Sequence, residues 1–333
     1  LGTTIGPLLV SIAIFGSVAA GGTEASIESV KSPYLVLGAA FVLVAAFLKF
    51  SSVPNFIDLE GLARDEAVAA NKLVHKPSAF AYPQLVLGMI AIFVYVGVEV
   101  STISNMPAYL ELPVSEGGLG IETSLIAPFV SLYWASLMIG RWAGAAGAFD
   151  VAKHTKWMLT ILLPYLAFGV FLAVNAFANH EISHFFMYGF VIVLMIAATF
   201  ASRGNPARML LYFAICGIVA LVIGMLTTGM TSVGAFISVG LCCSTMWPCI
   251  FTLAITGLGR NTNQGSSLLI MMIMGGGIVS WLQGVIADMH GIHYSFVVGV
   301  LCFAYLAFYA IAAKRALQKQ GIDLDALTAQ GGH

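Results

Sequence analysis

Apolar residues in this chain fall in runs of about 20, and runs of that length read as membrane-spanning helices. Ten of them fill nearly the whole sequence, at 1–20, 33–50, 83–110, 123–148, 157–178, 185–201, 207–226, 232–256, 266–287 and 294–313. The main polar interruption is 51–82, where Arg64, Lys72 and Lys76 alternate with Asp58, Glu60, Asp65 and Glu66. It reads as a linker between two membrane bundles, with room for a short surface helix. The predicted fold class is an all-α polytopic membrane protein with about ten transmembrane helices.

One position breaks the pattern. Glu99 lies near the middle of the apolar run 83–110. An ionisable group at that depth costs at least ~2.5 kcal/mol, so it ordinarily faces a polar pathway or a partner. Along the same helix Tyr95, Glu99, Thr102 and Met106 share a face at helical spacing, with Ser101 and Asn105 on an adjoining stripe. Pro107 is expected to kink the outer end. The alternative role for Glu99 is a structural hydrogen bond that locks two helices together.

Charge changes the picture in one respect. Thirteen of the 14 Lys and Arg residues fall on one side when alternate loops are assigned to opposite faces, with Lys31 alone on the other. The opposite loops carry Glu24, Glu28, Glu111, Glu116, Glu122, Glu181 and Asp288. The positive-inside rule then puts the linker and the C-terminus in the cytoplasm. It also supports the span assignment, since a missed helix would scramble the alternation.

Composition agrees: 59% of residues are hydrophobic and 9% charged, whereas soluble domains carry about 25% charge. A net charge of -1 argues against a nucleic-acid partner. Cys216, Cys242, Cys243, Cys249 and Cys302 all sit in apolar runs and read as small packing residues, with no metal-ligand spacing. His290 and His293 read as surface residues, and no metal site or cofactor is expected. The chain opens on Leu1 inside an apolar segment without an initiator Met or basic n-region. It therefore reads as a piece of a longer protein.

Six strings in order carry a resemblance: LGTTIGP at 1–7, GVEVS at 97–101, SLYWASLMIGRW at 131–142, MWPCIFTLAITGLG at 246–259, QGSSLLIMMIMGGGIV at 264–279 and LQGVIAD at 282–288. Together they resemble the fucose/glucose/galactose permease family of the major facilitator superfamily. The resemblance implies twelve helices in two six-helix bundles and alternating access around a midplane site. On that template 1–50 closes the N-terminal bundle with the fifth and sixth helices. Residues 51–82 are the cytoplasmic central loop, 83–313 the C-terminal bundle, and 314–333 a cytoplasmic tail. Spans 157–178 and 185–201 have no counterpart, and read as an inserted helix pair (157–201) with a peripheral, lipid-facing place.

The resemblance also implies roles. Trp247, before Pro248, takes a substrate-facing place, with Ser244 one turn earlier lining the same cavity. Gln283 offers an uncharged amide for hydrogen bonding. Tyr133 and Trp134 are aromatic candidates on the eighth helix. Arg141, Asp150 and Lys153 form a cytoplasmic gate cluster. Ala108 stands where the family pattern has Asn, which removes one polar contact. Gly275, Gly276 and Gly277 sit inside a membrane helix and read as close packing rather than a phosphate cradle.

The function expected is secondary active transport of a monosaccharide of the fucose, glucose or galactose class across the bacterial cytoplasmic membrane. The coupling ion is a proton or sodium, the partner is the lipid bilayer, and the protein is a monomer rather than an enzyme. The alternatives are a membrane sugar sensor, or an integral-membrane glycosyltransferase, which would need acids or metal ligands clustered at one membrane face.

Overall fold

The structure is a computed structural model that describes residues 27–50, 77–116, 118–145, 152–178 and 180–325. Among these residues all regular structure is helical. We number the helices α1 (Ile27–Phe50), α2 (Pro83–Glu111), α3 (Ala127–Ala145), α4 (Lys153–Phe177), α5 (Tyr188–Ser202) and α6 (Pro206–Leu226). There follow α7 (Gly229–Cys243), α8 (Met246–Ile255), α9 (Thr262–Met271), α10 (Gly275–His290), α11 (Ile292–Ser295) and α12 (Val297–Lys319).

Seven helical stretches among the described residues are long and apolar enough to cross a membrane, so the expected count of ten is not confirmed. Span 1–20 lies outside the described residues. Span 33–50 falls in the 24-residue α1, in which the apolar stretch Leu35–Phe47 is described. Span 123–148 becomes α3, where Ser131, Tyr133, Trp134, Ser136 and Arg141 dilute the apolar residues. Polarity of that kind suits a helix beside a cavity rather than one facing lipid.

Two expected spans prove to be interrupted. The run 232–256 is α7 and α8, broken at Ser244–Thr245. Pro248 supplies the cause: it has no N–H for the Ser244 carbonyl, and its ring crowds that carbonyl. In the first turn of α8 the missing donor costs nothing. The run 266–287 is α9 and α10, joined by a 3-10 turn at Met272–Met274. A short 3-10 insert inside a longer helix often marks a hinge.

Helix α2 is the spine of the bundle. Its 29 residues rise about 44 Å at 1.5 Å each, and the helix continues through Pro107. It packs most extensively against α10 and α12, then against α8 and α7. Small residues let these backbones approach. Gly97 lies against Val279, Gly275 against the Phe93 carbonyl, and Gly88 against Ala254 and the Tyr309 hydroxyl, each leaving no space for a Cβ. Three phenols, two of them fully buried and Tyr305 half-buried, bond carbonyls of α2: Tyr133 to Glu99 at 2.7 Å, Tyr305 to Leu87 at 3.0 Å, and Tyr309 to Gln84 at 3.1 Å. A buried hydroxyl needs such a partner.

At the end of the bundle where α2 begins, the chain after α12 folds back over its neighbours. Gln84 and Gln320 exchange amide hydrogen bonds of 3.3 and 2.8 Å. Asp325 receives hydrogen bonds from Asn205 Nδ2 at 2.6 Å and Lys314 Nζ at 2.9 Å, and pairs with Arg208 at 3.0 Å. Asn205 also caps α6, accepting from the amides of Ala207 and Arg208.

The pair α4 and α5, read from the sequence as an insertion, lies on one flank, α4 against α3 and α5 against α6 and α7. Trp157, Leu162, Leu166, Phe177, Phe190 and Leu194 on this pair are exposed, as lipid-facing side chains would be. A polar link ties it to the bundle. Ser136 Oγ donates to the Leu132 carbonyl at 2.7 Å, so the Tyr188 hydroxyl, also at 2.7 Å, donates to Ser136.

Candidate functional site

The helix geometry divides the candidate residues between two sides of α2. Tyr95 and Glu99, one turn apart, face α3, α7 and α8. Gly97 and Ser101, also one turn apart, face α10. The sequence places Ser101 beside the Glu99 face, but about 200° of helix separates the two side chains.

On the first side Glu99 is half-buried. The Tyr133 hydroxyl grips its backbone carbonyl from α3, leaving the carboxyl to point elsewhere. The Tyr95 hydroxyl lies beside that carboxyl and acts on it electrostatically. It nevertheless lacks hydrogen-bond geometry, and is buried without a partner. Arg141, exposed two turns beyond Tyr133 on α3, is also near enough to Glu99 to act on its charge. The Tyr95 ring tilts onto Trp247 with centroids 6.1 Å apart, and Trp247 stacks on Phe251 at 6.5 Å. Trp134 meets Tyr133 edge to face at 5.8 Å. Glu99 and Trp247 thus keep partly exposed surface on either side of buried Tyr95, while partly exposed Trp134 is placed only by its contact with Tyr133.

On the second side the packing fixes a register. Phe93 meets Gly275 and Gly97 meets Val279, so Ser101 stands level with Gln283 one turn further along both helices. Both are fully buried. Gln283 Nε2 donates to Ser295 Oγ at 3.3 Å. Its Oε1, like Ser101 Oγ, has no partner. Asn105 donates to the Ser101 carbonyl at 2.9 Å.

Other candidates are placed by packing. Ser244 is buried and donates to the Leu241 carbonyl at 2.6 Å. It presses on Gly140 of α3 so closely that no Cβ fits there, so it faces α3. Of the expected gate cluster, Arg141 stands near the end of α3 and Lys153 begins α4, while Asp150 lies outside the described residues. Four cysteines are buried and Cys216 is exposed. His293 departs from its expected surface place: Nε2 sits 2.8 Å from the Gly224 carbonyl, and the ring lies 5.2 Å from Tyr109. Among the described residues no three His, Cys, Asp or Glu come together as metal ligands.

Sequence reading placed Tyr95 on the Glu99 face without a role, and overlooked the two helix interruptions. Both breaks pack against α2 within the turn or two around Phe93–Glu99. The Trp-Pro pair signalled the first. A large cavity of about 740 Å³ lies elsewhere, between α3, α5, α6 and α7. Its walls are mainly apolar, and it includes none of the candidate residues.

No protein-family model matches the chain. Among curated proteins it is 31% identical over 316 residues to a protein named glucose/galactose transporter from Brucella abortus, covering 95% of this chain and 61% of that protein. A putative glucose/galactose transporter from Helicobacter pylori is 27% identical, over 93% of this chain and 62% of its own length. The chain spans about three fifths of the length of these relatives. Among solved structures, the crystal structure of the fucose:proton symporter of Escherichia coli superposes with a TM-score of 0.54. Identity there is 20%, over 93% of this chain and 65% of that one, and the likeness is one of fold. Ordered motifs, a helical bundle built around α2 and these relatives agree: the chain is similar to glucose/galactose transporters in sequence and to the fucose:proton symporter in fold.

Proposed function

We propose that this chain supplies the C-terminal half, and part of the N-terminal half, of a bacterial cytoplasmic-membrane symporter for a monosaccharide of the fucose, glucose or galactose class. The observation that carries the reading is the setting of Glu99. A half-buried carboxylate sits among aromatic rings, at the level where two neighbouring helices are interrupted. Discontinuous helices around a polar group are how secondary transporters build midplane sites. The relatives' names, glucose/galactose transporter and fucose:proton symporter, point the same way and away from an enzyme.

In this reading Trp247 and Trp134 offer flat faces to the apolar side of a sugar ring, and Glu99 accepts from its hydroxyls or carries the coupling ion. Tyr133 fixes the backbone of Glu99, and Ser244 seats α7 on α3. Ser101 and Gln283 lie buried where α2 meets α10, so their oxygens meet a ligand only if α10 shifts, while Asn105 is partly exposed. Arg141, near enough to Glu99 to act on its charge, and Lys153 at the start of the next helix are the described members of a cytoplasmic gate. Residues 1–50 end the N-terminal bundle, 51–82 form the central loop, 83–313 the C-terminal bundle with its inserted pair, and 314–333 a cytoplasmic tail. The skew of Lys and Arg supports that orientation.

The test is uptake by the full-length protein in proteoliposomes, with radiolabelled glucose, galactose and fucose under an inward proton or sodium gradient. Accumulation with one sugar and one ion is expected. Binding without exchange would favour the sugar sensor, and neither binding nor exchange would contradict the reading.

A further inference from the structure

The hydroxyl of Tyr95 is the polar atom around Glu99 whose burial is least explained. The residue is 1% exposed and its hydroxyl has no hydrogen-bond partner. The other phenols that touch α2 each bond a carbonyl. Native structures seldom leave a buried hydroxyl unmatched, and an exception asks for a reason. Tyr95 has one neighbour of interest on each side. Its hydroxyl lies beside the Glu99 carboxyl one turn on, and its ring leans on Trp247 from α8. The other titratable groups acting on this spot are Tyr133 and Arg141 from α3 and Cys243 from α7.

A phenol can donate to a carboxylate and accept from a carboxylic acid. It is therefore suited to follow a neighbouring carboxyl through both proton states, provided no other bond holds it. We propose that Tyr95 is a positioning residue that relays ligand occupancy at Trp247 to the Glu99 carboxyl, and so links sugar binding to ion binding. A sugar stacking on Trp247 shifts the ring that leans on it, and the unmatched hydroxyl turns toward or away from Glu99. The proposal rests on Glu99 being the coupling group.

The experiment compares Tyr95→Phe with Glu99→Gln in the full-length protein in proteoliposomes, measuring gradient-free hexose exchange and gradient-driven accumulation in the same vesicles. Tyr95→Phe keeps the ring and removes one oxygen. It is expected to exchange within about twofold of the unsubstituted protein, yet accumulate about tenfold less and show a displaced pH profile. The double variant should be no worse than Glu99→Gln alone, as two residues acting as one unit require.

Tyr95→Phe accumulating normally would overturn the relay, as would a parallel loss of exchange and accumulation. Should the variant fail to fold, 3-fluorotyrosine at position 95 leaves the packing nearly intact, and an unchanged pH profile there would overturn the relay too. If Glu99→Gln itself accumulates normally, the reading of Glu99 fails. If Glu99→Gln is defective while Tyr95→Phe is normal, only the relay fails.

Discussion

A carboxyl group inside a membrane helix is informative only once its neighbours are known. Glu99 has three kinds: a phenol that holds its backbone, a phenol that holds nothing, and a guanidinium at the end of the next helix. The sequence shows the carboxylate and its depth, but not which helix faces it. Ser101 is the instructive case. Its spacing from Glu99 suggests a shared polar stripe, and the packing of α10 on Gly97 decides otherwise. Trp247 is half-buried, with one edge on Tyr95 and one face toward Phe251. Aromatic contacts of this kind contribute about 0.5–1.5 kcal/mol. Replacing Trp247 with Ala is therefore expected to weaken sugar binding roughly 3- to 10-fold, and Trp247→Phe less, in an equilibrium binding assay. Equal affinity in all three proteins would remove Trp247 from the site.

The helices were legible as apolar runs, and their ends were not. Length and hydropathy locate α2, α4, α5 and α6 closely because each runs on as one helix, α2 and α4 even through Pro107 and Pro164. The breaks near Ser244 and Met272 were missed for different reasons. Pro248 lies inside a single apolar span of the sequence, although a proline near a helix start marks a new beginning as readily as a bend. At Met272–Met274 the apolar residues carry no turn signal, and the close approach of Gly275 to Phe93 accompanies the tightening. Close approach also makes a prediction about α3 and α7. A Cβ at Gly140 would fall on Ser244 Oγ, so Gly140→Ala is expected to destabilise by about 1–3 kcal/mol, as overpacking does. Thermal unfolding in detergent measures this, and Ser244→Gly in the same chain should recover most of the loss. No recovery would mean that the strain lies elsewhere.

For the whole molecule, the charge map carried the expected orientation and the ordered motifs the resemblance, because both survive errors in helix boundaries. They could not show how the chain closes on itself. Asp325, beyond the last long helix, draws α6 and α12 together through Asn205, Arg208 and Lys314. The Lys314 hydrogen bond, aided by the Asn205 amide and the two cations, holds the Asp325 carboxyl below the usual carboxylate range. A group lowered on folding stabilises fully above its unfolded value, near 3.9, and loses that contribution as pH falls through its lower folded value. The segment around buried Leu324 should accordingly resist protease at neutral pH and become susceptible under strong acid. Asp325→Asn should expose it at neutral pH, and a tail equally protected in that variant would show that the carboxylate is not what holds it.

The central claim is that Glu99 couples an ion gradient to sugar movement, and Glu99→Gln tests it most directly because it keeps size and hydrogen bonding while removing the titratable charge. In proteoliposomes containing the full-length protein, the variant is expected to exchange labelled hexose across the membrane near the unsubstituted rate. Its gradient-driven accumulation should fall by about tenfold or more. Accumulation at the unsubstituted level would contradict the account.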